Sequence, residues 1–217
     1  MDAYTLLWAL LAIVGGLLFF WVFLLRLLSA LAARFGKSQP CPYAFVWIVD
    51  NPVRRWYMRP ALDRVGIRPG ERVLELGPGP GVFTIEAARQ TEPGGSLVAV
   101  DIQPKMIAAV ERKAREAGLT NVETHVASAY DLPLDEGSVD RAFLVTVLPE
   151  IADRQVALAE LHRVLKPGGT LSITEEFMDP DYPLAGTTIR WAEEAGFELE
   201  ERHGNWWTYT LNFGRPA

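Results

Sequence analysis

Cysteine is nearly absent from this sequence of 217 residues: Cys41, between Pro40 and Pro42, is the only one. A single thiol builds no intrachain disulfide framework, thiolate zinc site or iron–sulfur cluster. The flanking prolines make Cys41 a turn residue rather than a reactive thiol. Histidine is scarce too, with His162 in a helical pattern and His125 in a strand-like one, neither beside a motif. No metal-ligand spacing is visible. Basic charge is in deficit, 21 Lys and Arg against 27 Asp and Glu for a net charge of −6, which disfavours a nucleic-acid-binding domain because phosphate recognition needs a basic face. Internal repeats and low-complexity tracts are missing. The length allows one compact domain plus an appendage.

What is abundant is unevenly placed. Between Asp2 and Arg26 lie 23 consecutive uncharged residues rich in Leu, Phe, Trp, Val and Ala. At about 1.5 Å per residue they reach the roughly 30 Å of a bilayer's hydrocarbon core. A cleaved signal peptide is one alternative, since Ala30-Leu31-Ala32 resembles a cleavage site. Against it stand Asp2 in place of a basic start, an apolar run longer than the usual ~7–15 residues, and Arg26 on the way to the cleavage site. A core helix of a soluble domain is the other alternative, and a domain this small has little room for one so long. The reading is therefore a retained N-terminal transmembrane helix. Arg26, Arg34 and Lys37 follow it while only Asp2 precedes it, so the positive-inside rule places the rest of the chain in the cytoplasm. Residues 1–72 carry nine Lys/Arg against four Asp/Glu (net +5), and residues 73–217 carry twelve against twenty-three (net −11).

Residues 38–51 read as an irregular linker. A helix then starts with Asn51 as N-cap and Pro52 at its first position, running to about Val65. In and before it Arg54, Arg55, Arg59 and Arg64 alternate with Trp47, Trp56, Tyr57 and Met58. That mixture suits a membrane interface, with arginines meeting lipid phosphates; it equally suits an amphipathic helix packed on the following domain, and the two are compatible. The expected division is 1–37 for the membrane helix and flank, 38–70 for linker and amphipathic helix, and 71–217 for the globular domain.

From Arg72 onward strand-like runs (Val73 to Leu76, Leu97 to Val100, Val122 to Val126, Ala142 to Val147, Thr170 to Thr174) alternate with helical stretches near Val82 to Gln90, Pro104 to Ala117 and Arg154 to Leu165. Lys166-Pro-Gly-Gly169 reads as a helix stop and turn before the fifth strand. After a helix near Ala185 to Glu194, two strands, Glu198 to Arg202 and Trp206 to Asn212, flank the turn His203-Gly204-Asn205, with at least one of Trp206 and Trp207 in the core. This order predicts an α/β fold: a Rossmann-like, mainly parallel seven-stranded sheet with helices on both faces and a C-terminal antiparallel hairpin.

The informative stretch is Val73-Leu-Glu-Leu-Gly-Pro-Gly-Pro-Gly81. An apolar strand enters three alternate glycines and then a helix, so the backbone turns tightly and a ligand approaches main-chain atoms unhindered. Glu75 lies two residues before the first glycine. Asp101 closes the next strand, where a carboxylate accepts both hydroxyl protons of a ribose. The dinucleotide fingerprint G-x-G-x-x-G needs glycine at position 82 and finds Val82. The spacing found, G-x-G-x-G after an acid, resembles motif I of the class I S-adenosylmethionine-dependent methyltransferases. Matching pieces follow in order: Val98-Ala-Val-Asp101-Ile-Gln-Pro-Lys-Met106, Ala129-Tyr-Asp-Leu-Pro133, Gly137-Ser-Val-Asp140 and Leu161-His-Arg-Val-Leu-Lys-Pro-Gly-Gly169. The resemblance covers roughly Arg72 to Lys166 and does not extend over the membrane segment.

The resemblance implies S-adenosylmethionine as cofactor, with Glu75, Gly77, Gly79 and Gly81 along its methionine and ribose portion. It implies Asp101 on the ribose hydroxyls and Ile102 against adenine. Where the family often carries an acid after the third strand, this chain has Ser128, so backbone atoms of Ala129 or the Ser128 hydroxyl would take the adenine, with Tyr130 next. Thr146 and Val147, at the end of the fourth strand, would border the reactive end. Candidates for a base at the carboxyl edge are Glu150 and Glu175 or Glu176, with Tyr130 and Tyr43 weaker. A membrane-bound methyltransferase gains most from an acceptor that shares its membrane, so the expected substrate is lipophilic: a phospholipid headgroup, an isoprenoid or a quinone. A dinucleotide-dependent oxidoreductase and an inactive cofactor-binding membrane scaffold are the alternatives.

Overall fold

In a computed structural model of the chain, the described residues are 2–34, 43 and 46–217. Cys41 with its two prolines, Lys37 and half of the expected linker lie outside them. Helix α1 spans Ala3–Arg34, and its window Tyr4–Trp21 has a mean hydropathy of 2.0 with no residue buried. By length and composition it is able to cross a membrane.

A four-residue turn of helix, α2 (Val46–Val49), leads to α3 (Pro52–Val65). Asn51 caps α3 as its sequence suggests, its side-chain oxygen accepting from the Arg54 N–H at 2.9 Å. Met58, Ala61, Leu62 and Val65 form the buried stripe of α3, one face at helical spacing. Arg54 belongs to that stripe. It is 8% exposed, which corrects the expectation that it meets lipid phosphates, whereas Val53, Arg55, Trp56 and Arg59 face outward.

The sheet then builds from β1 (Arg72–Leu76), α4 (Thr84–Thr91), β2 (Ser96–Asp101), α5 (Pro104–Glu116), β3 (Val122–Val126), β4 (Val139–Val145), α6 (Arg154–Val164), β5 (Leu165–Glu176), α7 (Ala185–Glu194), β6 (Glu198–Gly204) and β7 (Thr208–Gly214). Its strand order is β3-β2-β1-β4-β5-β7-β6, parallel from β3 to β5 and antiparallel at β7 and β6. The expected architecture is thus the observed one. Strands buried on both faces read as continuous apolar runs, and consecutive residues divide between two cores. Val73 and Phe143 pack with Met58, Leu62 and Ala88 on the α3/α4 face; Leu74, Leu144 and Ile173 pack with Leu158, Leu161 and Phe197 on the α6/α7 face.

Among the boundaries that differ from the sequence reading, three have a clear local cause. The Lys166–Gly169 turn lies inside β5, as an irregularity between the pairs Val139/Leu165 and Arg141/Thr170. A Cβ at Gly169 would meet the Lys166 and Asp140 carbonyls at 2.8 and 2.9 Å, so the glycine admits the neighbouring backbone and the strand resumes. The fourth strand stops at Val145, because Thr146 turns left-handed at φ 56°. The hairpin turn is shifted by two residues: Asn205 Oδ1 accepts from the N–H groups of Trp207 and Thr208 at 2.8 and 3.3 Å. This side-chain turn puts Trp206 and Trp207 at its tip, and both are exposed, not core.

Candidate functional site

The carboxyl ends of β1, β2 and β4 surround a cavity of about 320 Å³. The glycine turn forms its floor. Gly77 and Gly79 are left-handed, at φ 70° and 53°, and differ in what they make room for. A Cβ on Gly77 would sit 2.5 Å from Val147 Cγ2, whereas one on Gly79 would meet nothing within 4 Å. Gly77 therefore lets the β4 exit pack down on the turn, and Gly79 leaves the cavity open. Gly81 is outside the cavity lining; it accommodates Val110 of α5, whose Cγ2 would be 3.3 Å from a Cβ there.

Two acids face this space. Asp101 accepts from the Gln103 N–H at 2.8 Å. Burial raises its pKa, and the backbone N–H groups of Gln103 and Gly79 oppose the rise. Glu75 is buried with Oε2 lacking any hydrogen-bond partner. Burial pushes its carboxyl up to about 8, the Thr84 hydroxyl works the other way, and the nearby Asp101 charge adds to the rise. An unpaired buried carboxyl is costly to ionise alone, so the cavity is poised for a ligand that brings positive charge and hydroxyl or N–H donors.

The cavity also gathers Ile102, Ser128, Ala129, Tyr130, Thr146 and Glu150. Ile102 is exposed, an open apolar surface for a flat ring. Ser128 Oγ accepts from the Tyr130 N–H at 3.2 Å, and the Tyr130 hydroxyl accepts from the Asp153 N–H at 3.0 Å. Glu150 closes a short 3-10 turn, Leu148–Glu150, above the β4 exit. Glu175 is placed differently. It points to the α6/α7 side, fully buried, with neither oxygen hydrogen-bonded, and it is outside the cavity lining. Burial, reinforced by Asp179, Glu150 and Glu176, raises its pKa well above the usual range. Asp179 nearby is pushed up to about 6, chiefly by burial.

The cavity wall includes two residues that precede the region of the resemblance, Val49 and Arg54. Arg54 Nε donates to Glu176 Oε1 at 2.6 Å, Nη1 to the Val49 carbonyl at 2.9 Å and Nη2 to Thr146 Oγ1 at 3.3 Å. Tyr57 completes the cluster, donating its hydroxyl to Glu176 Oε2 at 2.5 Å. Burial and the Glu176 charge raise the Tyr57 pKa further above its ordinary range. The helical spacing of Arg54 with Met58, Ala61 and Val65 is the sequence signal that places this arginine on the inner face. Among the described residues no group of three or more His, Cys, Asp or Glu is placed to hold a metal ion.

Residues 74–173 match the family model described as a methyltransferase domain. The chain is 35% identical over 153 residues to a ubiquinone/menaquinone biosynthesis C-methyltransferase, UbiE, of a Geobacter species, covering 70% of this chain and 65% of that protein. It is 39% identical over 139 residues to an uncharacterised 37.1 kDa protein in a Streptomyces fradiae transposon, 63% of this chain and 40% of that one. The chain thus spans less than two thirds of the length of both relatives. A solved S-adenosylmethionine-dependent methyltransferase from Aquifex aeolicus superposes with a TM-score of 0.75 at 22% identity, over 81% of this chain and all of that one. The [4+2]-cyclase SpnF superposes with a TM-score of 0.66 at 20% identity, over 76% and 81%, so the fold by itself does not fix the reaction.

Proposed function

We propose that this protein is an S-adenosylmethionine-dependent methyltransferase that transfers a methyl group to a lipophilic acceptor, with a quinone-type ring as the leading candidate and a phospholipid headgroup or isoprenoid as the others; the match of residues 74–173 to a methyltransferase domain supports this reading. Glu75 is the observation that carries the cofactor side: a buried carboxyl with an unpartnered oxygen faces a cavity whose floor, at Gly79, is free of side chain. A cofactor bearing an ammonium and a sulfonium satisfies that carboxyl. Asp101 would hold the ribose hydroxyls, Ile102 would cover the adenine, and the loop Ser128-Ala129 would meet its edge. When bound, S-adenosylmethionine supplies a methyl group already activated by the sulfonium. The residues' share is alignment and exclusion of water. Thr146, Tyr130 and Glu150 line the cavity, and in this reading Glu150 or Tyr130 would take a proton from the acceptor, whereas Glu175, buried outside the cavity lining, would not.

The names of the relatives support a quinone-type acceptor, the length and hydropathy of α1 support a membrane anchor, and the cations that follow its apolar run in the sequence, Arg26, Arg34 and Lys37, favour residues 71–217 on the cytoplasmic side. In this reading residues 1–37 deliver the enzyme to its substrate, and residues 38–70 connect the anchor to the cavity through α3. The test is transfer of labelled methyl from S-adenosylmethionine by the detergent-purified full chain, offered total membrane lipid extract. Label in the quinone fraction is the expected result. Cofactor binding without label in any lipid fraction overturns the acceptor class, and failure to bind S-adenosylmethionine overturns the assignment itself.

A further inference from the structure

Outside α1 the chain has five tryptophans, and four of them stand exposed at one edge of the molecule. Trp47 and Trp56 are 69% and 78% exposed, Trp206 is 67% exposed and Trp207 is partly so. Trp47 lies in α2 two residues before Val49, which lines the cavity. Trp56 lies beside Arg54 and Tyr57, whose side chains reach Glu176 at the carboxyl end of β5. Trp206 and Trp207 precede Thr208, which pairs with that same Glu176. All four therefore belong to the edge on which the cavity opens.

The hairpin tip is a built feature rather than a loose loop. The Phe177 ring stands 5.3 and 5.4 Å from those of Trp206 and Trp207 and 5.7 Å from that of Tyr182. Tyr182 donates its hydroxyl to the Trp206 carbonyl at 2.6 Å, and the Phe177 N–H donates to the Trp207 carbonyl at 2.7 Å. Met178 and Leu184 extend the apolar surface, both exposed. Ordering these rings spends conformational entropy before any partner arrives.

We propose that this edge docks on the headgroup layer of a bilayer containing anionic lipid, with the Trp206-Trp207 tip and the outer face of α2 and α3 as its two contacts. The proposal rests on the reading of α1 as a membrane anchor. Three observations favour a bilayer over another occupant. Only eleven residues separate Arg34 at the end of α1 from Val46, so the edge lies within roughly 40 Å of the anchor's end. Tryptophan pairs an apolar ring with an N–H donor and partitions to headgroup depth. Exposed Arg59 and exposed Arg55, the latter also paired with Asp50, flank Trp56, and exposed Lys105 sits at the same sheet edge, where cations attract anionic headgroups. The docked edge turns the cavity mouth toward the layer in which a lipophilic acceptor resides.

The full chain reconstituted in nanodiscs of phosphatidylcholine and phosphatidylglycerol tests this. In a Cys41→Ser background, a fluorophore is attached through Leu184→Cys at the patch or through Glu136→Cys at the opposite sheet edge, where the side chain is largely exposed. Lipids with a nitroxide on the headgroup should quench the Leu184→Cys label several-fold more than the Glu136→Cys label. Adding Trp206→Ser and Trp207→Ser should remove most of that difference. Equal quenching of the two labels in incorporated protein overturns the docking while leaving the anchor standing. Weak lipid quenching with concentration-dependent transfer between differently labelled copies assigns the patch to a second copy of the chain and also overturns it. A chain that does not co-elute with nanodiscs defeats the anchor reading, and the docking with it.

Discussion

Arg54 and Glu176 are 122 positions apart in the chain and 2.6 Å apart in the fold, and the same guanidinium reaches Thr146 at the rim of the cavity. Through this pair the helix that follows the apolar N-terminal segment becomes part of the site. The pair is buried on both sides, so each charge depends on the other to offset its lost hydration.

Removing one partner should therefore cost far more than removing both. Arg54→Met strands the Glu176 carboxylate and should lower stability by about 3–5 kcal/mol, roughly 10 °C in Tm for a chain of this size. Arg54→Met combined with Glu176→Gln should recover most of that loss, as thermal unfolding in detergent would show. Equal Tm values for the single and double variants would show that the two charges do not depend on each other.

Cofactor affinity should depend on pH through Glu75. Its carboxyl is held up at about 8 in the folded protein, against about 4.3 for a free glutamate. The contribution of Glu75 to folding stability is thus greatest below pH 4.3 and is lost as pH rises toward 8. A cationic ligand favours the ionised form, so binding should tighten between pH 6 and 8 with release of protons. Calorimetry in buffers of different ionisation enthalpy measures that release, and Glu75→Gln should abolish it.

Asp101→Ala should weaken S-adenosylmethionine binding by at least tenfold, since two hydrogen bonds to a charged acceptor are worth about 1.5–3 kcal/mol each. The fold should survive, because the carboxylate accepts only local backbone N–H groups. Unchanged affinity in a folded variant would remove Asp101 from the site.

The two glycines of the turn should separate in their effects. Gly77→Ala drives a methyl into Val147, 2.5 Å away, and should destabilise the protein, whereas Gly79→Ala meets no atom within 4 Å. The latter still pays the cost of a left-handed alanine, about 1–2 kcal/mol, but its main effect should be lost cofactor affinity. Chemical unfolding and calorimetry on the two variants distinguish the roles.

How far these features were legible from the chain alone depends on their range. Alternating and continuous apolar runs are local consequences of strand geometry, so the five parallel strands, the closing hairpin, the glycine turn and the acids Glu75 and Asp101 at strand ends were all readable in order. The sequence by itself also determined that residues 3–25 form an apolar stretch long enough for a bilayer, because length and hydropathy need no tertiary contact.

Only the tertiary structure decided what the faces meet. Glu175 and Glu176 are neighbours with opposite fates, one orphaned under α6 and α7 and the other paired with Arg54 and Tyr57, because strand alternation sends them to different sides and long-range packing supplies or withholds the partner. Arg54 reads as a surface cation among arginines until α3 is laid on the sheet. The hairpin tip moved two residues because one side-chain oxygen, Asn205 Oδ1, captures the N–H groups of Trp207 and Thr208. Local pattern specifies elements, whereas burial and pairing of polar groups depend on which distant segment arrives, and that is settled only when the whole core closes.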